Sequence, residues 1–311
     1  MAHGRAQTSL VSASSRASGS SAGLLGLSMA ASAEKYTKQE IQKLKDNKDL
    51  KKLFDGNAEW RKEKMSADED YFKDLSLGQT PHYLWIGCSD ARVAANEIVG
   101  CGPGELFVHR NVANLVVNND NSLQSVFQYA VEYLQVQHII VCGHYDCAGV
   151  SASLDKVDLA SPLEEWVCNI RDVYRLHKEE LDAIKDDDKR KRRLVELNAQ
   201  EQAFNVYKAA VVQRRRVYTH MKTGLAQPKV HAVVFDPANG LMRRINTFEG
   251  DDQIDELHEV YDLYNAKTAS EFWDGQDAYP VRENTPRKLF NKAAPPAVKA
   301  AKDDKQMEAG K

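Results

Sequence analysis

The chain has 311 residues, 42% of them hydrophobic, with 42 basic against 45 acidic side chains and a formal net charge of −3. That balance describes an ordinary globular protein and excludes nucleic acid as a main partner, because neutralising phosphates takes a strongly basic face. Apolar runs such as residues 24–27 and 138–142 stop far short of the ~20 residues needed to cross a bilayer, so no membrane span is predicted.

Residues 1–34 are dominated by Ser, Ala and Gly, carry Arg5 and Arg16, and hold no acidic residue before Glu34. Such a segment cannot bury a core and has the composition of an organelle transit peptide, chloroplast or mitochondrial. Read as a plain disordered tail, it leaves the chain in the cytoplasm. From Tyr36 the character changes. Residues 38–52 are charged and helix-prone, and residues 57–61 continue with Trp60 as an anchor for another element, so two N-terminal helices are predicted.

Tyr83-Leu-Trp-Ile-Gly-Cys88 is a short run of strand formers that ends abruptly in Ser89-Asp-Ala-Arg92. A buried strand delivers polar side chains in this way at the C-terminal edge of an open α/β sheet. The pattern recurs in Glu105-Leu-Phe-Val108, in His138-Ile-Ile-Val-Cys142 after a helical stretch over 122–134, and in Val230-His-Ala-Val-Val-Phe235 after another over 194–223. Alternating strand and helix predict an α/β fold: a mainly parallel central sheet flanked by helices on both faces. Residues 158–222 read as a helical insertion, and their charge run at 185–193 as a solvated turn. One domain is expected over 35–283, with the N-terminal helices included. Residues 284–311, with Pro286, Pro295 and Pro296, are expected to form a disordered extension.

Five cysteines, an odd number, sit at positions 88, 101, 142, 147 and 168, with no secretory apolar segment before them. This favours thiols or metal ligands in a reducing compartment over a disulfide framework. Cys88 closes the first strand, and Gly143-His-Tyr-Asp-Cys147 follows the third, so a Cys and an H-x-x-C pair can converge at one sheet edge. Thiolate sulfur and imidazole nitrogen suit tetrahedral Zn²⁺, and three protein ligands leave a fourth corner open, as in catalytic rather than structural sites. Cys88, His144 and Cys147 are the expected ligands of one zinc ion. Cys101, Cys142 and Cys168 lack such partners and are assigned to packing. Asp90, two residues past Cys88, either completes the tetrahedron or accepts a hydrogen bond at the open corner; Arg92, able to pair with it bidentately, favours the second.

Taken together, Cys88-Ser-Asp-Ala-Arg92, Glu105-Leu-Phe-Val-His-Arg-Asn-Val-Ala-Asn114 and Cys142-Gly-His-Tyr-Asp-Cys147 resemble the β-carbonic anhydrase family over about residues 55–265. The resemblance implies a lyase, a carbonate dehydratase, that interconverts carbon dioxide and bicarbonate plus a proton by attack of zinc-bound hydroxide. It implies Cys88, His144 and Cys147 as zinc ligands and Asp90 with Arg92 as the catalytic dyad. A homodimer, often paired into a tetramer, is implied with the active sites close to the dimer interface. Trp85 and Arg110 match two residues of a regulatory bicarbonate site in some members, but Phe235 stands where those members carry Tyr. Ala148 stands where the family usually has the first of two glycines, so a methyl group is expected to narrow the pocket or shift the following helix. Because two thiolates leave more charge on the metal than imidazoles do, activity is expected to favour mildly alkaline pH. Three alternatives remain at this point: hydrolysis of carbonyl sulfide or carbon disulfide, a non-catalytic site closed by Asp90, and a redox thiol role.

Overall fold

The computed structural model describes residues 37–39 and 49–248. Residues 1–34, read above as a transit peptide, most of the helix expected over 38–52, and residues 284–311, expected to form an extension, lie outside the described residues. The chain divides into two units after Asp68. In the first, α1 (Asp49–Ala67) is one continuous helix that takes residues 57–61 into its middle, with Trp60 half-buried. The second unit opens with the short α2 (Tyr71–Leu75) and contains the sheet.

Five strands lie in the order β2-β1-β3-β4-β5. They are β1 (Tyr83–Cys88), β2 (Leu106–Asn111), β3 (His138–His144), β4 (Lys229–Asp236) and β5 (Leu241–Phe248). The first four pair in parallel, and β5 returns antiparallel along β4 through a turn in which Asp236 O accepts the Gly240 N–H at 2.8 Å. The mainly parallel α/β sheet predicted from the sequence is therefore present. β5 was not anticipated, and β2 runs three residues past its expected end at Val108.

β1 leads to β2 on one side, and the chain then crosses back to place β3 on the other. The C-terminal ends of β1 and β3 thus flank a topological switch point, where the connections diverge and leave a crevice. On β1 and β3, Leu84, Ile86, Ile139 and Val141 are fully buried against Leu123 and Phe127 of α4 (Asn121–Gln128). Ala203 and Val206 join them from α8 (Asp187–Tyr207), which packs across β3 and β4. The opposite face gathers Trp85, Cys142, Val233 and Phe235, with Val93 and Ala95 from the segment leading into α3 (Ala95–Ile98).

The expected helical stretch is built from α6 (Leu163–Leu176), α7 (Lys178–Ala183), α8 and α9 (Ala210–Thr223). Because α8 supplies core residues, this stretch belongs to the body of the fold. The charge run expected as a solvated turn forms the first turns of α8. Asp186 caps the helix by accepting from Lys189 N, and Asp187 and Asp188 complement the positive helix start. Arg192 pairs with Asp236 at 2.9 Å, and Arg193 pairs with Glu180 and Glu196. Cys168, expected to pack inside, is exposed on α6. Among the described residues no helix is long and apolar enough to cross a membrane.

Candidate metal centre

Cys88 is the last residue of β1 and His144 the last of β3, so two neighbouring parallel strands end with both at the same edge of the sheet. Cys147 follows after Asp146 turns the chain with a left-handed φ of 57°, and it precedes α5 (Ala148–Leu154). The ligand atoms of the three residues lie within 4.8 Å of one another, with the two sulfurs 4.0 Å apart. All three side chains are buried.

His144 Nδ1 lies 3.0 Å from the Tyr145 carbonyl oxygen, which can only accept; the proton therefore sits on Nδ1 and the Nε2 lone pair is free. That Nε2 is buried and has no hydrogen-bond partner among the described residues. An orphaned imidazole nitrogen beside two thiols is costly in the absence of a cation, and the donor set is one that suits zinc. The residues fit the ion. The two thiols share one S–H···S contact, and this pairing draws Cys88 well below the ordinary thiol range against the effect of burial and, with burial, pushes Cys147 up. The Ala113 N–H also donates to Cys88 Sγ, at 3.3 Å.

Asp90 and Arg92 meet as a bidentate pair, Nε to Oδ1 at 3.0 Å and Nη2 to Oδ2 at 2.7 Å, with the Arg92 N–H also on Oδ1 at 2.9 Å. Arg92 further donates to the Asp146 carbonyl oxygen, tying the two ligand loops together. The Arg92 hydrogen bonds hold the Asp90 carboxyl well below the usual carboxylate range. Asp90 Oδ2 stays 3.8 Å from His144 Nε2, at the margin of the ligand cluster.

Around this cluster, several residues act that sequence reasoning did not single out. Arg193 and Glu196 of α8 pair with each other, and Tyr145 OH donates to Glu196 at 2.6 Å. Arg243 of β5 donates to the Tyr145 hydroxyl and to Glu196, and the Arg192 guanidinium stacks 3.5 Å from the centre of the Tyr145 ring. The residue whose carbonyl orients His144 is thereby gripped from two elements. Ala148, the departure expected to narrow the pocket, is exposed; the tight position is Gly149, where a Cβ would lie 3.0 Å from Val112 Cγ1 and 3.2 Å from Ala113 Cβ.

Trp85 and Arg110 occupy the same face of neighbouring strands. Trp85 is buried, and its Nε1 has no hydrogen-bond partner among the described residues. Arg110 is committed elsewhere, with Nε donating to the Cys88 carbonyl at 2.8 Å and Nη2 to the Asp90 carbonyl at 2.5 Å, so that it braces the loop after β1. Phe235 packs in the Trp85 cluster and offers no polar atom. His109 is buried beside Asn111, with burial lowering its pKa.

The sequence model of the carbonic anhydrase family matches residues 83–242. A carbonic anhydrase of Emericella nidulans is 49% identical over 213 residues, covering 68% of this chain and 90% of that one. Among solved structures, the β-carbonic anhydrase CafA of Aspergillus fumigatus superposes with a TM-score of 0.61 at 31% identity, covering 68% of this chain and 98% of that one. One of two tetrameric β-carbonic anhydrases from Sordaria macrospora gives a TM-score of 0.58 at 33% identity, covering 63% of this chain and 95% of that one. Fold and cluster already define an α/β protein with a Cys-His-Cys group at its switch point. The chain belongs to the β-class carbonic anhydrase family, a family of lyases.

Proposed function

We propose that this chain catalyses the reversible hydration of carbon dioxide to bicarbonate and a proton, with one zinc ion held by Cys88, His144 and Cys147. The observation that carries this reading is the buried His144 Nε2, without a partner among the described residues, in a cluster with two thiols whose ligand atoms lie within 4.8 Å of one another, with Asp90 Oδ2 3.8 Å from that nitrogen. Zinc bound there supplies Lewis acidity, which lowers the pKa of water from 15.7 toward ~7 and polarises the reacting oxygen.

The chain's own residues supply the rest. Arg92 occupies both Asp90 oxygens and keeps the carboxylate from closing the site, which favours an open corner over a structural one. Asp90, ionised across the physiological range, accepts a hydrogen bond from the attacking oxygen and points its lone pair at the carbon. The Tyr145 carbonyl holds the His144 tautomer, and Arg110 keeps the Cys88–Asp90 backbone in place. A homo-oligomer is part of this reading, with a tetramer as the state named for the Sordaria relative. So is an organelle address in residues 1–34, ahead of a domain over 35–283 and an extension over 284–311.

A secondary reading, bicarbonate binding beside Trp85 and Arg110, draws on the unpartnered Trp85 Nε1. With Phe235 in place of a hydroxyl-bearing residue and Arg110 committed to carbonyls, inhibition should be weak. The main proposal is tested by metal analysis and stopped-flow carbon dioxide hydration on the full chain. One zinc per chain with fast hydration supports it. Stoichiometric zinc without hydration sinks it and directs assays to carbonyl sulfide and carbon disulfide.

A further inference from the structure

The segment after β2 adopts an unusual backbone. Ala113 and Asn114 are both left-handed, with φ of 64° and 51°, a conformation that costs ordinary L-residues free energy unless the surroundings enforce it. The result of this turn is that the Ala113 N–H points at Cys88 Sγ.

Side chains from two helices satisfy the backbone of this segment almost group by group. Trp166 of α6 donates its indole N–H to the Val112 carbonyl at 2.8 Å. Asn198 of α8 donates to the Ala113 carbonyl at 3.1 Å, and Gln202, one turn further on, accepts the Val116 N–H at 2.8 Å. Gln202 also donates to Asn198 Oδ1 at 3.2 Å, so each amide fixes the orientation of the other. Asn111 closes the segment from its own side, with Oδ1 accepting the Leu115 N–H at 2.8 Å and Nδ2 donating to the Leu115 carbonyl. Asn198 and Gln202 are 1% and 3% exposed on an otherwise apolar helix face, where polar side chains are retained only if their hydrogen bonds are made.

We infer that Asn198 and Gln202 are positioning residues for the metal centre: they hold the 112–116 turn so that the Ala113 N–H donates to the Cys88 sulfur. The inference rests on the zinc reading of Cys88, His144 and Cys147, and adds to it a control of how strongly one ligand donates to the metal. An N–H···S bond lowers the energy of the sulfur lone pair. Its loss leaves Cys88 a stronger, less well oriented donor, and outer-sphere partners of this kind typically change metal affinity by ~10–100-fold. Neither residue touches substrate, and both act through the backbone of Ala113.

The test uses the full chain loaded with cobalt(II), whose thiolate-to-metal charge-transfer band reports on sulfur donation, together with zinc affinity by chelator competition. Asn198→Leu removes the donor to Ala113 while keeping volume. Trp166→Phe, at a half-buried site and preserving an aromatic ring, provides a second variant should the first fail to fold. Val206→Ala, in the α8 core away from the turn, controls for destabilisation alone. The expected result is a band moved to longer wavelength and zinc affinity lowered ~10-fold or more in Asn198→Leu, a smaller change of the same sign in Trp166→Phe, and none in Val206→Ala. Wild-type binding with unmoved band and affinity in the first two variants overturns the inference alone. A wild-type chain that takes up neither metal overturns the zinc reading, and the inference with it.

Discussion

The two faces of β1 carry the same kind of burial and opposite chemistry. Leu84, Ile86 and Cys88 face the helices, where the sulfur meets the Ala113 N–H and Cys147 Sγ. Trp85 and Gly87 face the other way, beside Cys142, Val233 and Phe235, and there Trp85 Nε1 has no partner among the described residues. Cys142 and Cys88 are both buried, yet Cys142 is pushed up, chiefly by burial, while the hydrogen bond with Cys147 pulls Cys88 down against the same effect. Desolvation by itself makes an inert thiol, whereas convergent donors make a ligand.

The contrast breaks most visibly at the ligands. His144→Ala should lose stoichiometric zinc and reduce hydration by ~10⁴-fold or more, since rate enhancements of ~10⁶ or greater are at stake. Cys142→Ala should keep both, and metal analysis alongside stopped-flow hydration separates the two thiol-bearing faces. A glycine pair sharpens the comparison next. A Cβ at Gly87 would lie 2.5 Å from Trp85 Nε1, and one at Gly149 would crowd Val112 and Ala113. Gly87→Ala and Gly149→Ala should each lose ~1–3 kcal/mol in urea unfolding, but only the second should weaken zinc binding in chelator competition. Tyr145→Phe removes one hydroxyl from the Glu196–Arg243 grip and should cost ~1 kcal/mol in the same unfolding assay.

The smallest effect concerns acid stability. The folded-state pKa of Asp90 lies below its unfolded value, so its ion pair with Arg92 stabilises the fold above the ordinary carboxylate pKa of ~3.9 and loses that contribution as pH falls through the lower folded value. Asp90→Asn should therefore be less stable than wild type at pH 6, with the gap closing below about pH 4 in thermal melts. A gap that stays constant down to pH 2 would show that the pair contributes nothing through charge.

The interior of the sheet was legible in the sequence and its edges were not. β1, β3 and β4 are flanked by strands on both sides and read as short apolar runs. β2 and β5, the two edge strands, carry His109, Arg110, Arg243 and Arg244, and that polarity obscured the end of one and the whole of the other. The Cys88–His144–Cys147 cluster and the Asp90–Arg92 pair were visible because each lies at or just past a strand end at short spacing. What holds them was hidden in α8. Asn198 and Gln202 look like ordinary helix residues until seen among Leu194, Leu197, Ala203 and Val206, although two amides at i, i+4 in an apolar stretch were an available signal. The run at 185–193 was misread for a related reason: a cap and a set of long-range ion pairs make no periodic pattern.

The most direct test of the site is Asp90→Asn, with zinc content and stopped-flow carbon dioxide hydration measured on the same full-chain samples at pH 8.5. If Asp90 is an acceptor held off the metal by Arg92, the variant keeps one zinc per chain and loses ~10²-fold or more in hydration rate. Zinc lost in parallel with activity would make Asp90 a fourth ligand, and an unchanged rate would remove it from the chemistry; either result contradicts the arrangement of Cys88, His144, Cys147 and Asp90 as an open, working site.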